Sequence, residues 1–361
     1  MPLDFLHLQA LAAACDLDLV GVTAAGPTPT WDTYAAWIAR GHAAEMGYLT
    51  RPAALHRRAD PRHILPEARS VLVVGAQYVG GPLPPLPALH GRVSRYAWGE
   101  DYHRWLLRRL EVLVARIHAD VGPGAARYYV DTGPVLERAW AVAADLGWIG
   151  KHGCLIHPRL GSYIFLGVAL LEAALPRTPP ASPPGQCGDC TRCLAACPTG
   201  ALVAPGEVDA RRCLAYLTIE HRGAIPPRYR AAQGARVFGC DACQEVCPWN
   251  RRPLAVPAQT APPSAAILAL PALLRLTAEE FRARYRHTAI WRATPAGLAR
   301  NAAIVLGNLG DPAAIPALEE AVRTHPNAMV HEHAAWSLRR LRDNAKSELE
   351  KRAFAQIQDR H

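Results

Sequence analysis

Apolar positions recur along this chain at two periods. Three short runs are apolar at most positions and read as strands: Ser70-Val-Leu-Val-Val-Gly-Ala76, Arg127-Tyr-Tyr-Val130 and Tyr163-Ile-Phe-Leu-Gly-Val-Ala169. Between them the spacing shifts to that of amphipathic helices, so residues 1–175 predict an α/β domain. Pro-rich stretches punctuate the pattern. Residues 81–87 read as a surface loop, 176–185 as a linker closing the domain, and 253–263 as the end of a second module. The remainder is helical and self-similar. Arg300-Asn-Ala-Ala-Ile-Val-Leu-Gly-Asn-Leu309 recurs 32 residues later as Glu332-His-Ala-Ala-Trp-Ser-Leu-Arg-Arg-Leu341, the spacing of stacked HEAT-type hairpins. The expected division is therefore 1–175, 176–255 and 256–361.

Composition narrows the chemistry. Half of the 361 residues are apolar, enough for a sizeable core without disulfides. The longest apolar run, Ile164–Leu171, is far short of the roughly 20 residues that span a bilayer. Residues 1–19 lack a basic segment leading into an unbroken apolar one, so neither export nor membrane anchoring is expected and a cytoplasmic, monomeric protein is. In that reducing compartment ten cysteines point to metal or redox chemistry. The net charge is +9, and only Lys151, Lys346 and Lys351 among the 40 basic residues are lysine. Coding bias accounts for the Arg/Lys ratio in a chain this rich in Ala, Pro and Gly, but not for the net charge, which permits a polyanionic partner. Arg282, Arg284, Arg286, His287, Arg292 and Arg300 follow one another without an acid, as either a solvated helix face or a phosphate-binding patch.

The cysteine spacing is more specific. Cys187-x2-Cys190-x2-Cys193-x3-Cys197-Pro198 is the bacterial ferredoxin run, in which three thiolates wrap one cubane and the fourth reaches the other cluster. Cys213 and Cys240-x2-Cys243-x3-Cys247-Pro248 supply a second, split set. The crossover then assigns Cys187, Cys190, Cys193 and Cys247 to one 4Fe-4S cluster, and Cys197, Cys213, Cys240 and Cys243 to the other. Paired Cys-x2-Cys units also make zinc ribbons, the competing reading. Cys15 and Cys154 lie outside the set and read as small core residues. A bare electron carrier would not need the flanking domains, so the electrons are expected to reach a second cofactor in an enzyme.

Several strings together resemble the epoxyqueuosine reductase family. They are Arg58-Ala-Asp-Pro-Arg62, Tyr96-Ala-Trp-Gly-Glu-Asp-Tyr-His103, Val130-Asp-Thr-Gly-Pro-Val-Leu-Glu137, Gly147-Trp-Ile-Gly-Lys-His152, Gly161-Ser-Tyr-Ile-Phe-Leu-Gly167, Tyr216-Leu-Thr-Ile-Glu-His-Arg-Gly-Ala-Ile-Pro226 and Gly239-Cys-Asp-Ala-Cys-Gln-Glu-Val-Cys-Pro-Trp-Asn250. The resemblance implies an α/β nitroreductase-like cobalamin domain, a ferredoxin-like two-cluster domain and C-terminal HEAT-like repeats. It also implies the last step of queuosine biosynthesis: reduction of wobble-position epoxyqueuosine in tRNA, with an electron-donating reductase, flavodoxin or ferredoxin as partner. The clusters would take cobalamin to Co(I), a nucleophile able to attack a strained ring.

The family's proton donor falls on Asp131, where an acid useful at neutral pH needs its pKa raised by burial. The same position suits a turn or helix-cap aspartate before Pro134. By motif position, Arg58, Lys151, Leu155, Ser162 and Leu166 would contact cobalamin, and His221 and Arg222 would contact tRNA. Ordinary alternatives are a surface ion pair for Arg58 and Lys151, and core for the two leucines. Cys154 and His157 depart from the family's usual Thr or Ser and Asn, so the loop after Lys151 meets a corrin on different terms. A reductive dehalogenase would share the cofactors but usually carries an export signal. A plain electron carrier would bind clusters alone.

Overall fold

Four strands, β1 (Leu19–Ala24), β2 (Ser70–Gln77), β3 (Ala126–Tyr129) and β4 (Ile164–Leu171), form one sheet in the order β1-β2-β4-β3. The structure, a computed structural model, describes residues 3–78, 83–180, 186–251 and 263–358. All three pairings are antiparallel, β2 and β4 running in register from Ser70↔Leu171 to Gln77↔Ile164. Every residue of β2 is buried, which requires cover on both faces of the sheet.

Two helices provide it. Helix α1 (Tyr102–Val121) buries Leu106, Leu110, Leu113, Val114 and Ile117, a stripe at helical spacing, and sets Leu110 over Gly167 of β4. Burial is worth roughly 1.5–3 kcal/mol for each such side chain. Helix α2 (Glu137–Ala143) packs Trp140 and Ala141 with Val71, Val73, Val168 and Leu170. Because side chains alternate along a strand, this is the face opposite Gly167. Gly21 permits the approach, since a Cβ there would lie 2.6 Å from the Ala144 carbonyl oxygen.

By packing, the chain divides into two units. One comprises Met1–Gly81, Glu100–Cys213 and Asp241–Thr260, and the other Pro82–Gly99, Leu214–Cys240 and Ala261–His361. Residues 214–240, placed by sequence in the iron-sulfur module, thus pack with the helical tail. There His90–Val93 pairs in parallel with Arg236–Phe238 and antiparallel with Ile267–Ala269.

The tail's internal repeat falls on α3 (Pro295–Leu309) and α5 (Ala328–Gln358), with α4 (Ile315–Thr324) between them in sequence. Gly307 of α3 faces Ser337 of α5 so closely that a Cβ would collide, while the Ser337 hydroxyl donates to the Ala303 carbonyl at 2.7 Å. Of the Pro-rich stretches, residues 81–82, 181–185 and 253–262 lie outside the described residues. No helix among the described residues is long and apolar enough to cross a membrane.

Candidate active site

Asp131 follows the C-terminal end of β3, where the N-termini of α1 and α2 each bring a titratable side chain to it. Asp101 caps α1 by accepting from the His103 amide at 3.1 Å, and its Oδ1 also accepts from His103 Nδ1 at 2.5 Å. His103 Nε2 lies 3.1 Å from Asp131 Oδ2. Burial opposes charge on this imidazole, but its hydrogen bonds to Asp101 and Asp131 outweigh burial and raise its pKa to about 9. His103 is therefore an imidazolium at neutral pH, with a carboxylate at each nitrogen. The first residue of α2, Glu137, turns back so that Oε1 accepts from the Asp131 amide at 2.5 Å. Burial, and next the charge of Asp131, push the Glu137 carboxyl up to about 8.

The Asp131 side chain is 47% exposed. The cationic His103 lies beside it. Asp131 does not serve as an ordinary helix cap. It adopts a left-handed backbone, φ +58°, while Thr132 donates its amide to the Val130 carbonyl at 2.6 Å in a tight turn.

The five residues expected at cobalamin have these surroundings. Arg58 is buried, its NH2 group donating to the Gly133 carbonyl at 3.2 Å and its NH1 group to Tyr48 at 3.3 Å. Lys151 donates to the Gly188 carbonyl at 2.6 Å, inside the first cysteine run. Leu155 and Leu166 belong to the core that holds Trp140 and Val168. The Ser162 hydroxyl receives Gln244 Nε2 at 3.0 Å and Asn250 Nδ2 at 2.9 Å, tying the start of β4 to the last cysteine motif.

Two buried polar atoms in the Gly147-Trp-Ile-Gly-Lys-His152 stretch have no hydrogen-bond partner among the described residues: His152 Nε2 and Trp148 Nε1. His152 Nδ1 accepts from the Cys154 amide at 3.1 Å, and burial lowers the ring's pKa to about 4. The neutral ring therefore carries its proton on Nε2, a donor with nothing to meet. An unmatched buried donor costs about 1–3 kcal/mol, so a bound group offering acceptors, as cobalamin's amides do, fits this stretch.

The cysteines fit clusters. Cys247 packs with Trp148 and Ile156, with Cys187 and Trp249 alongside. Its thiol is raised by burial and then by the charges of Cys187, Cys193 and Cys190, so these four lie within electrostatic reach of one another. At Cys197 burial acts upward, but the amides of Thr199, Leu202 and Ala201 outweigh it and hold the thiol below its ordinary value. Among the described residues no three donors close on a single ion. A cubane makes no such demand, because each thiolate binds a different iron. Cys15 is buried, as expected of a core residue, and Cys154 is half-buried.

In the other unit, Arg222 is exposed and donates to the Ile219 carbonyl at 3.1 Å, and His221 Nε2 lies 3.1 Å from the Ala224 carbonyl. Arg300, counted in the basic patch by sequence, is instead fully buried. Its guanidinium donates to the carbonyls of Leu217 and Gly223 at 2.6 Å and of His221 at 2.9 Å. It thereby shapes the loop that presents Arg222. Arg282, Arg284, Arg286 and His287 are exposed, whereas Arg292 pairs with Glu220 at 3.7 Å.

Comparison with known proteins gives a concordant picture. A model described as "Epoxyqueuosine reductase QueG, DUF1730" matches residues 58–132, a "4Fe-4S double cluster binding domain" residues 186–250, and "HEAT repeats" residues 288–355. The epoxyqueuosine reductase of Xanthomonas campestris is 42% identical over 311 residues, covering 84% of this chain and 86% of that protein.

The chain belongs to the epoxyqueuosine reductase family.

It is thus an oxidoreductase with an iron-sulfur domain. The epoxyqueuosine reductase of Escherichia coli K12 is 37% identical over 349 residues, 93% of this chain and 90% of that one. A crystal structure of epoxyqueuosine reductase with an epoxyqueuosine-modified tRNA-Tyr stem loop superposes with a TM-score of 0.85 at 30% identity, covering 95% of this chain and 92% of that one. The Bacillus subtilis epoxyqueuosine reductase, whose aspartate-bearing catalytic loop is swung out of the active site, gives a TM-score of 0.82 at 29% identity, covering 92% and 89%. Within this site, sequence reasoning did not single out Asp101, His103 or Glu137. The available signal was an Asp-x-His pair opening a long helix and a Glu opening the next, both inside motifs already noted.

Proposed function

We propose that this chain reduces epoxyqueuosine at the wobble position of tRNA to queuosine, the last step of queuosine formation, using cobalamin and two 4Fe-4S clusters, with Asp131 as proton donor. The observation that carries the reading is the Asp101–His103–Asp131 chain at the end of β3, inside two family motifs. Conversion of an epoxide to an alkene and water takes two electrons and two protons. Cobalamin, when bound, supplies a reduced cobalt nucleophile replenished through the clusters.

The chain's own residues supply the rest. Asp131 is exposed enough to reach a substrate oxygen, and His103 delivers a proton to it and returns to its resting charge from solvent. His152, Lys151 and Arg58 line or support the cobalamin domain, of nitroreductase type. The two cysteine sets named above hold the clusters, and Trp148 offers an indole N–H to cluster sulfur. Arg222 and His221 engage the anticodon arm, phosphate contacts fixing position while a pocket takes the base. The enzyme works as a cytoplasmic monomer fed by a reductase, flavodoxin or ferredoxin.

Single-turnover conversion by Asp131→Asn tests the acid. The carboxamide keeps the shape but donates no acidic proton, so the rate is expected to fall about 100-fold or more with tRNA affinity intact. A wild-type rate would remove Asp131 from the role.

A further inference from the structure

The turn that carries Asp131 is held at two points by side chains outside the Asp101–His103–Asp131 chain. Asp131 sits at φ +58°, in the left-handed region that aspartate tolerates better than most residues and that the contacts around it hold. The following turn is equally constrained, because at Gly133 any Cβ would run into the Tyr129 ring. The first hold is on the acid's own backbone: Glu137 Oε1 takes the Asp131 amide at 2.5 Å. The second is two residues on, where Arg58 donates to the Gly133 carbonyl at 3.2 Å. Arg58 is itself fixed, since its other nitrogen reaches Tyr48, its carbonyl accepts the Thr28 hydroxyl at 2.7 Å, and its guanidinium lies 5.9 Å from the centre of the Tyr34 ring.

We infer that Glu137 is a positioning residue, a pin whose carboxyl oxygen holds the Asp131 amide and keeps the proton donor at its station, with Arg58 as the second anchor. The inference rests on the reading of Asp131 as the acid. The pin needs an acceptor oxygen at the right reach and no charge. Burial and the charge of Asp131 favour the neutral carboxyl, with Arg138 and His103 the opposing cations nearby. A glutamine reproduces that acceptor; an aspartate, one methylene shorter, does not reach; an alanine has none. A proton-relay role would rank the variants differently, because glutamine holds no transferable proton.

The test compares Glu137→Gln, Glu137→Asp and Glu137→Ala in cluster-loaded, cobalamin-loaded enzyme. Two readouts are taken: kcat and KM for epoxyqueuosine tRNA, and hydrogen–deuterium exchange of the peptide covering residues 126–136. Glu137→Gln is expected to keep kcat within about twofold and keep the peptide protected, whereas Glu137→Asp and Glu137→Ala lose about tenfold to a hundredfold in kcat at constant KM and exchange faster. If the alanine variant does not fold, the aspartate variant decides. Unchanged exchange and kcat in Glu137→Asp would overturn the inference, as would a Glu137→Gln enzyme as slow as the truncations. Faster exchange in Glu137→Asp, together with full activity of Asp131→Asn, would keep the pin and discard the acid, so the two readings fail separately.

Discussion

His103 places a cation beside an exposed aspartate, and its ionisation sets a pH signature. The imidazole's folded pKa, about 9, lies above its ordinary 6.5, so its pairing with Asp101 and Asp131 contributes stability that is fully present below pH 6.5 and is lost as pH rises through about 9. Thermal melting of His103→Ala is therefore expected below wild type at pH 6, with the gap closing by about pH 10. In the pH–rate profile, the wild-type alkaline limb should fall near pH 9, where His103 stops carrying the proton. A melting gap that widens with pH would contradict this account. At this scale the sequence showed Asp131 at a strand end before Thr-Gly-Pro. Its partners were not legible, because the contact to His103 bridges 28 residues of chain and depends on where α1 begins.

At the scale of elements, the internal repeat does more than stack helices. Equivalent positions of the two copies, Asn301 on α3 and His333 on α5, both turn buried polar groups onto residues 214–240. Asn301 donates to the Thr218 carbonyl at 2.8 Å and the Val237 carbonyl at 3.0 Å, and His333 Nε2 accepts the Ile225 amide at 3.1 Å. Arg300 adds its three carbonyl contacts. Burial, followed by the charge of Arg222, lowers its pKa to about 10, so it remains charged at neutral pH.

Arg300→Met removes a buried charge but strands four acceptors, the carbonyls of Leu217, His221 and Gly223 and the side-chain oxygen of Asn301, and an unsatisfied buried acceptor costs about 1–3 kcal/mol. The acceptors dominate, and a melting temperature lower by about 5 °C or more is expected, read by thermal unfolding of the cluster-loaded enzyme. An unchanged melting temperature would mean that the loop is held elsewhere. The repeat was legible as a 32-residue recurrence of small and apolar positions. Arg300 was not, because a guanidinium that satisfies carbonyls 77 to 83 residues away in sequence looks the same in a string as one facing water.

Across the whole molecule, cysteine spacing and the family motifs were legible because each records a local demand: thiolates at fixed intervals, a tight turn, a strand end. The division into packing units was not, since Leu214–Cys240 leaves the cysteine-rich stretch it belongs to in sequence and packs with the tail. The net charge of +9 is carried in part by exposed guanidinium groups such as Arg222, Arg282 and Arg284. If Arg222 meets a phosphate, Arg222→Ala should weaken tRNA binding and reduce the slope of log affinity against log salt by about 1, measured by titration over a range of salt. An unchanged slope would assign Arg222 another task.

The central claim is the reaction itself. Epoxyqueuosine-containing tRNA is incubated anaerobically with cluster-loaded enzyme and a low-potential reductant, with and without cobalamin, and its nucleosides are weighed by mass spectrometry. Loss of one oxygen from epoxyqueuosine only when cobalamin is present is the expected result. No loss with intact clusters and bound cobalamin would contradict the assignment to tRNA, and loss without cobalamin would contradict the cofactor.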